Sequence, residues 1–259
     1  MSPETQPGRD VIAIAGPNST GKSELARQLS LYLRDPQDGK NIGVDTRVIH
    51  VGDIFRFCAG LPGGFPLDDP EQIRASAHEA LAHVHCEVDK TTGEIFLKPN
   101  GIDRFLQSAQ NGQASSKLGG NPHLVEFVTD FVLDLLDAHL EEQGIAIIDG
   151  RESWGAQVVV RTSASMQTRA NFFYEERLEA KDWAVERVEQ TIRERDIFDE
   201  PILAPVMDRQ DHVIGVMRTD HTIGATRRVA EQVGGIIFQY KEGHAVGFES
   251  RPMMITDNR

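Results

Sequence analysis

Apolar positions along the chain alternate between short unbroken runs and longer stretches with helical spacing. Val11 to Ala15 is β-branched and alanine with almost no polar alternation, the pattern of a strand covered on both faces. After a glycine-rich turn, SELARQLSLYLR sets Leu25, Leu29 and Leu33 on one helical stripe. RVIHV at 47–51 reads as a second buried strand, and DIFRFCAG opens another helix. LPGGFPLDDP at 61–70 breaks regular structure, and Asp68 or Asp69 is placed to cap a helix over 70–84 with Glu71 near its start. HVHCEVDKTTGEIFLK at 83–98 reads instead as two strands joined by a Thr-Gly turn. In NPHLVEFVTDFVLDLLDAHLEE, Leu124, Phe127, Phe131, Leu135 and Leu136 share one face of a helix, with Asn121 as its cap and Pro122 in its first turn.

IAIIDGRE at 145–152 predicts a third buried strand and AQVVVRT at 156–162 a fourth. A charged helical region is predicted from about Ser165 to Arg195, followed by a Pro-containing segment at 200–205. HVIGV at 212–216 predicts a strand, 222–234 a helix and IIFQY at 236–240 a strand, while the tail after Gly243 carries no clear signal. Strands alternating with helices specify an α/β fold with a parallel sheet wrapped by helices, and 60–120 becomes a small lobe inserted into it.

Composition narrows the partners. A chain of 259 residues buries one sizeable core, and 27 Lys and Arg against 40 Asp and Glu give a net charge of −13. So acidic a protein repels a phosphate backbone, which argues against nucleic acid; a local arginine cluster still binds a small phosphorylated substrate against that field. Cys58 and Cys86 lack C-x-x-C spacing, as expected of a reducing compartment without a disulfide framework or zinc site. The polar N-terminal MSPETQPGRD does not read as a signal peptide, and no apolar run approaches the roughly 20 residues of a membrane span. The expectation is a cytoplasmic protein with no membrane partner, a monomer or weak homo-oligomer.

The turn after the first strand carries the chemistry. Gly16, Pro17, Asn18, Ser19, Thr20, Gly21, Lys22 and Ser23 match G-x-x-x-x-G-K-[ST] between a buried strand and a helix, the context that confirms a phosphate loop. Its amides would wrap the β-phosphate of ATP, with Glu24 just beyond them, Lys22 reaching the β and γ oxygens and Ser23 ligating Mg²⁺. The chain has no N-K-x-D, which a switch GTPase needs to read its base. An ATPase reading survives, because Asp149 in IIDG ends an apolar strand as a motor-type carboxylate does. Asp149 either positions a metal-bound water or caps the turn.

A kinase that phosphorylates a second phosphate must bring two polyanions together, and arginine grips phosphate oxygens in pairs. Arg56 lies one helical turn after RVIHV, Arg151 immediately follows IAIIDG, and Arg193 and Arg195 lie in TIRERD. Residues just beyond strand C-termini line the ligand crevice of an open α/β sheet, so Arg56 and Arg151 share a rim with the phosphate loop.

From Val11 to about Val233 the chain resembles the cytidylate kinases among nucleoside monophosphate kinases. The likeness rests on the phosphate loop, VGDIFRF, ASSKLGGNPHLVEF, IIDGRE and IRERDIFDEPILAPV, in that order and spacing. It implies a single three-layer α/β/α P-loop kinase domain over 1–259, with a core (9–55, 121–170 and 205–242), a monophosphate-binding lobe at about 56–120 and a mobile lid at about 170–205. It puts the acceptor's phosphate on Arg56, Arg151 and Arg195, its sugar on Asp199 and its cytosine ring on Ser116. Gly150 and Glu152 fall in the acceptor-binding strand end, Glu152 replacing an aspartate. Other positions depart from the family: Val51 replaces a polar residue, Val125 a base-contacting arginine, EPILAPV lacks the second lid arginine, and ANFF replaces a usual basic pair.

Groups that grip phosphate are kept while several that read cytosine are altered. The function implied is ATP- and Mg²⁺-dependent phosphorylation of a nucleoside monophosphate: CMP, dCMP or a modified cytosine nucleotide. A kinase for another small phosphorylated metabolite and a catalytically weak nucleotide-binding regulator are the alternatives.

Overall fold

A computed structural model describes residues 10–35, 43–59, 69–82, 84–99, 122–141, 144–151, 156–176, 180–208, 215–241 and 253–256. Strands β1 (Asp10–Ala15), β2 (Thr46–His50), β5 (Ile145–Gly150), β6 (Val158–Ser163), β7 (Gly215–Asp220) and β8 (Met253–Thr256) form one sheet in the order β2-β5-β1-β6-β7-β8. Every pairing in it is parallel. Parallel neighbours need crossovers, and the helices that provide them cover both faces.

The two faces bury separate cores, which makes the domain a three-layer α/β/α sandwich. On one face Ala13, Ile49 and Ile148 pack with Leu124, Val128 and Val132 of α4 (Pro122–His139) and Ile54 of α2 (Val51–Ala59). On the other, Ile12, Ile14, Val48, Ile147 and Val160 meet Leu25 and Leu29 of α1 (Lys22–Arg34) and Val229, Val233 and Ile237 of α7 (Thr226–Lys241). A third, small cluster of Ala170, Phe173, Val188 and Ile192 joins α5 (Met166–Glu176) to α6 (Val185–Asp208).

Helix α3 (Pro70–Ala82) begins as the sequence predicts, with Asp69 Oδ1 accepting the amide of Glu71 at 3.0 Å. Strands β3 (Val84–Val88) and β4 (Ile95–Pro99) form the predicted antiparallel hairpin. Its turn is fastened to the core: Ser30 Oγ donates to the Thr92 carbonyl at 2.5 Å, Arg34 Nη2 to that of Lys90 at 2.7 Å, and the Val48 amide to that of Gly93 at 3.0 Å. Gly93 turns with φ +72, and a Cβ there would strike the Thr46 carbonyl, so only glycine lets the hairpin sit this close to β2.

Four expectations change. The predicted strand at 236–240 is helix, continuous with α7 through Lys241. Val229, Val233 and Ile237 extend one helical stripe across it, and a short apolar run is ambiguous by itself. The Gly234-Gly235 pair does not break that helix; a Cβ on Gly234 would strike the ring of Tyr32, so it sets how near α7 approaches α1. The charged region after Ser165 is two helices, and α6 runs past Arg195 through Pro201 and Pro205 to Asp208. Each proline removes one ladder donor without ending the helix. The strand predicted at 212–216 is β7 at 215–220, and the tail without a signal supplies β8. Asn121, placed as the cap of α4, lies outside the described residues.

Candidate active site

The parallel register sets the site. Ile14 lies opposite Asp149 and Ala15 opposite Gly150, while on the other side of β5 Asp149 lies opposite His50. Three strands therefore end together where β1 turns into the phosphate loop, the rim at which α/β sheets bind ligands.

The loop is held open from behind. Ser19 has φ 56 and Gly21 φ 72, left-handed conformations that fold the chain back before α1 begins. A Cβ on Gly21 would lie 2.5 Å from Phe172 Cζ, and one on Gly16 would strike Thr162. Thr20 Oγ1 donates to the Pro17 carbonyl at 2.9 Å and shares a 2.6 Å hydrogen bond with Thr162 Oγ1. Lys22 Nζ donates to the same carbonyl at 2.8 Å, folded across the loop. Arg169, buried on α5, donates from Nε and Nη2 to the Asn18 carbonyl at 3.0 and 2.9 Å. Its other face grips Asp196 of α6 in a two-pronged ion pair at 2.8 and 2.6 Å.

Ser23 Oγ donates to Asp149 Oδ2 at 2.6 Å, so the two oxygens the sequence suggests for Mg²⁺ meet. The same Oδ2 lies 2.9 Å from His50 Nδ1, and His50 Nε2 lies 3.0 Å from Glu94 Oε1 on the hairpin. Burial opposes charge on His50, but the hydrogen bonds to Asp149 and Glu94 outweigh it and carry its pKa up to about 10. Burial likewise pushes Asp149 up, yet His50, Lys22 and Ser23 together hold its carboxyl below the usual range; Glu94 is held low by His50 and Thr92 against its own burial. At neutral pH the cluster is carboxylate, imidazolium, carboxylate.

Other sequence candidates are spread more widely. Glu24 turns along α1 to Arg27 and Gln28. Arg151 follows β5, half-buried at the rim. Arg195 lies on α6 with its guanidinium 5.6 Å from the centre of the Phe173 ring, one residue before the Asp196 that pairs with Arg169. Asp199 belongs to α6 and Arg56 to α2, but their side chains, and Ser116 and Glu152 entirely, lie outside the described residues.

Sequence reasoning missed His50, Glu94, Arg169, Asp196 and Thr162. His50 was findable, because it ends a buried strand at the same rim as Arg151. Glu94 carries no local signal.

A strand, a left-handed glycine, a helix opened by Lys-Ser and a carboxylate on the neighbouring strand meet at one rim, the arrangement the phosphate-loop motif leads one to expect. The family description that fits this chain is "Cytidylate kinase", matching residues 12–233. The chain belongs to the cytidylate kinase family. It is a nucleoside monophosphate kinase. A protein of Syntrophotalea carbinolica named cytidylate kinase is 26% identical over 250 residues, covering 91% of this chain and 97% of its own length. One of Rhodospirillum rubrum with the same name is 27% identical over 231 residues, covering 86% and 92%. Among the described residues no helix is long and apolar enough to cross a membrane.

Proposed function

We propose that this cytidylate kinase family member transfers the γ-phosphoryl group of ATP to a cytosine nucleoside monophosphate: CMP, dCMP or a modified form. The observation that carries the reading is the Ser23–Asp149 hydrogen bond at the mouth of the phosphate loop, where two hard oxygen donors suit Mg²⁺. Bound there, the ion would neutralise charge on the phosphates. The loop amides bind the donor's β-phosphate, and Lys22 swings from the Pro17 carbonyl to the transferring group. Arg56, Arg151 and Arg195 hold the acceptor's phosphate, Gly150 and Glu152 flank it, Asp199 takes the sugar and Ser116 the base. The acceptor phosphate is already an anion, so no general base is required. Closure of the segment bearing Arg195 excludes water from the transfer.

The resemblance puts this chain's departures at the positions that would read the base. Val51 is buried and Val125 half-buried on α4, and neither side chain offers a hydrogen bond at a position where the resemblance leads one to expect a polar residue. Losing a charged partner costs about 1.5–3 kcal/mol, or ten- to a hundredfold in acceptor binding. A coupled ADP-release assay over CMP, dCMP, UMP, AMP and modified cytosine nucleotides tests the reading. Turnover with a cytosine nucleotide supports it, turnover only elsewhere reassigns the acceptor, and ATP binding without acceptor-dependent turnover refutes it.

A further inference from the structure

We propose that His50 is a positioning residue for the metal site: it clamps Asp149 against Ser23 and ties both to the β3–β4 hairpin through Glu94. The inference rests on the reading of Ser23 and Asp149 as metal-holding groups and adds the group that aims them.

The geometry is specific. Ser23 Oγ and His50 Nδ1 converge on one oxygen of Asp149, Oδ2, at 2.6 and 2.9 Å. Two donors on one oxygen fix the plane of the carboxylate without spending the lone pairs of Oδ1. The far nitrogen of the ring, Nε2, faces Glu94 Oε1 at 3.0 Å. The ring thus bridges the two carboxylates and gives Asp149, which is 6% exposed, a fixed polar partner on the side away from the phosphate loop.

Glu94 is presented rigidly, because the turn preceding it is bolted to α1 and β2 through Ser30, Arg34 and Val48. The line Ser23–Asp149–His50–Glu94 thus runs from the phosphate loop to the hairpin entirely through side chains. Metal-holding groups need such outer partners to keep their orientation, and losing one typically weakens metal binding 10- to 100-fold.

The test uses the full chain with Mn²⁺ as probe, titrated into the ATP complex and followed by the electron paramagnetic resonance of free Mn²⁺. Affinity for fluorescent ATP in EDTA is measured alongside. His50→Phe and Glu94→Ala are each expected to weaken Mn²⁺ binding roughly tenfold or more, with metal-free nucleotide affinity little changed. Glu94→Gln, which keeps an acceptor for Nε2–H, is expected to recover most of what Glu94→Ala loses. Folded His50→Phe that binds Mn²⁺ within about twofold of wild type overturns the proposal, as does Glu94→Gln no better than Glu94→Ala, or no Mn²⁺–ATP complex in the wild type. Should His50→Phe not fold, the Glu94 pair decides. The comparison needs only nucleotide binding, so a wild type that turns over none of the monophosphates sinks the kinase reading and leaves this one standing on its own data.

Discussion

Replacing Arg169 with alanine is the most informative single perturbation of the fold around the site. Its side chain is 8% exposed and makes four hydrogen bonds, two to the Asn18 carbonyl of the phosphate loop and two to Asp196 on α6. The loop side is buried, and hydrogen bonds involving a charged group contribute about 1.5–3 kcal/mol. The Asp196 side is worth less, since that carboxylate is 33% exposed and solvent screens it, so about 1 kcal/mol is the appropriate figure. Together Arg169→Ala should destabilise the domain by about 2.5–4 kcal/mol, lowering Tm by roughly 5–16 °C. ATP affinity should fall as well, because the loop loses the contact that fixes the Asn18 carbonyl. Asp196→Ala alone should cost about 1 kcal/mol and leave ATP affinity nearly intact. Urea unfolding and fluorescent-ATP titration of the two single variants and the double variant measure all of this. Arg169→Ala within about 0.5 kcal/mol of wild type, or a double-variant cycle with no coupling, would refute the reasoning.

Three further outcomes follow from the structure. Gly21→Ala combines a φ of +72 with a Cβ 2.5 Å from Phe172 Cζ, so it should cost about 2–4 kcal/mol and abolish tight ATP binding, whereas Gly224→Ala, with nothing within 4 Å, should be near neutral by urea unfolding. Burial pushes the Cys58 thiol up to about 12, so iodoacetamide at pH 8 should leave it unmodified in the native protein and alkylate it on unfolding; equal rates by mass spectrometry would contradict the packing. Asp89 accepts the amides of Thr92 and Thr91, which lower its pKa on folding; its contribution is present above about pH 4 and lost as pH falls through the lowered value, so the exchange protection of those two amides should drop on acidification and be missing at every pH in Asp89→Ala.

The core of the fold was legible because its signals are local. An unbroken β-branched run, a phosphate loop and a stripe at Leu25, Leu29 and Leu33 each carry enough information within a dozen residues, and all three leucines are buried. The last third was harder for physical reasons. Ile236 and Ile237 read equally well as strand or helix, and only packing of α7 on α1 decides. MMIT at 253–256 becomes a strand because β7 offers it an edge, a fact absent from its own composition. The candidate site divides the same way: motif and strand end single out Ser23 and Asp149, whose side chains meet, while Arg169 and Glu94 bond partners 151 and 44 positions away in the chain. Distances of that kind leave no periodicity to read.

Strand β8 has one more consequence. It pairs Met253, Met254, Ile255 and Thr256 with Met217, Arg218, Thr219 and Asp220, and so takes over from β7 as the outer edge of the sheet among the described residues. Four residues from far along the sequence cover the six-residue edge of β7 and leave a shorter one in its place, with fewer open amides and carbonyls to recruit a foreign strand. A variant shortened before residue 253, or one carrying a bulky fusion close behind it, keeps every group of the phosphate site yet exposes an adhesive border. Its characteristic failure is clumping at high concentration.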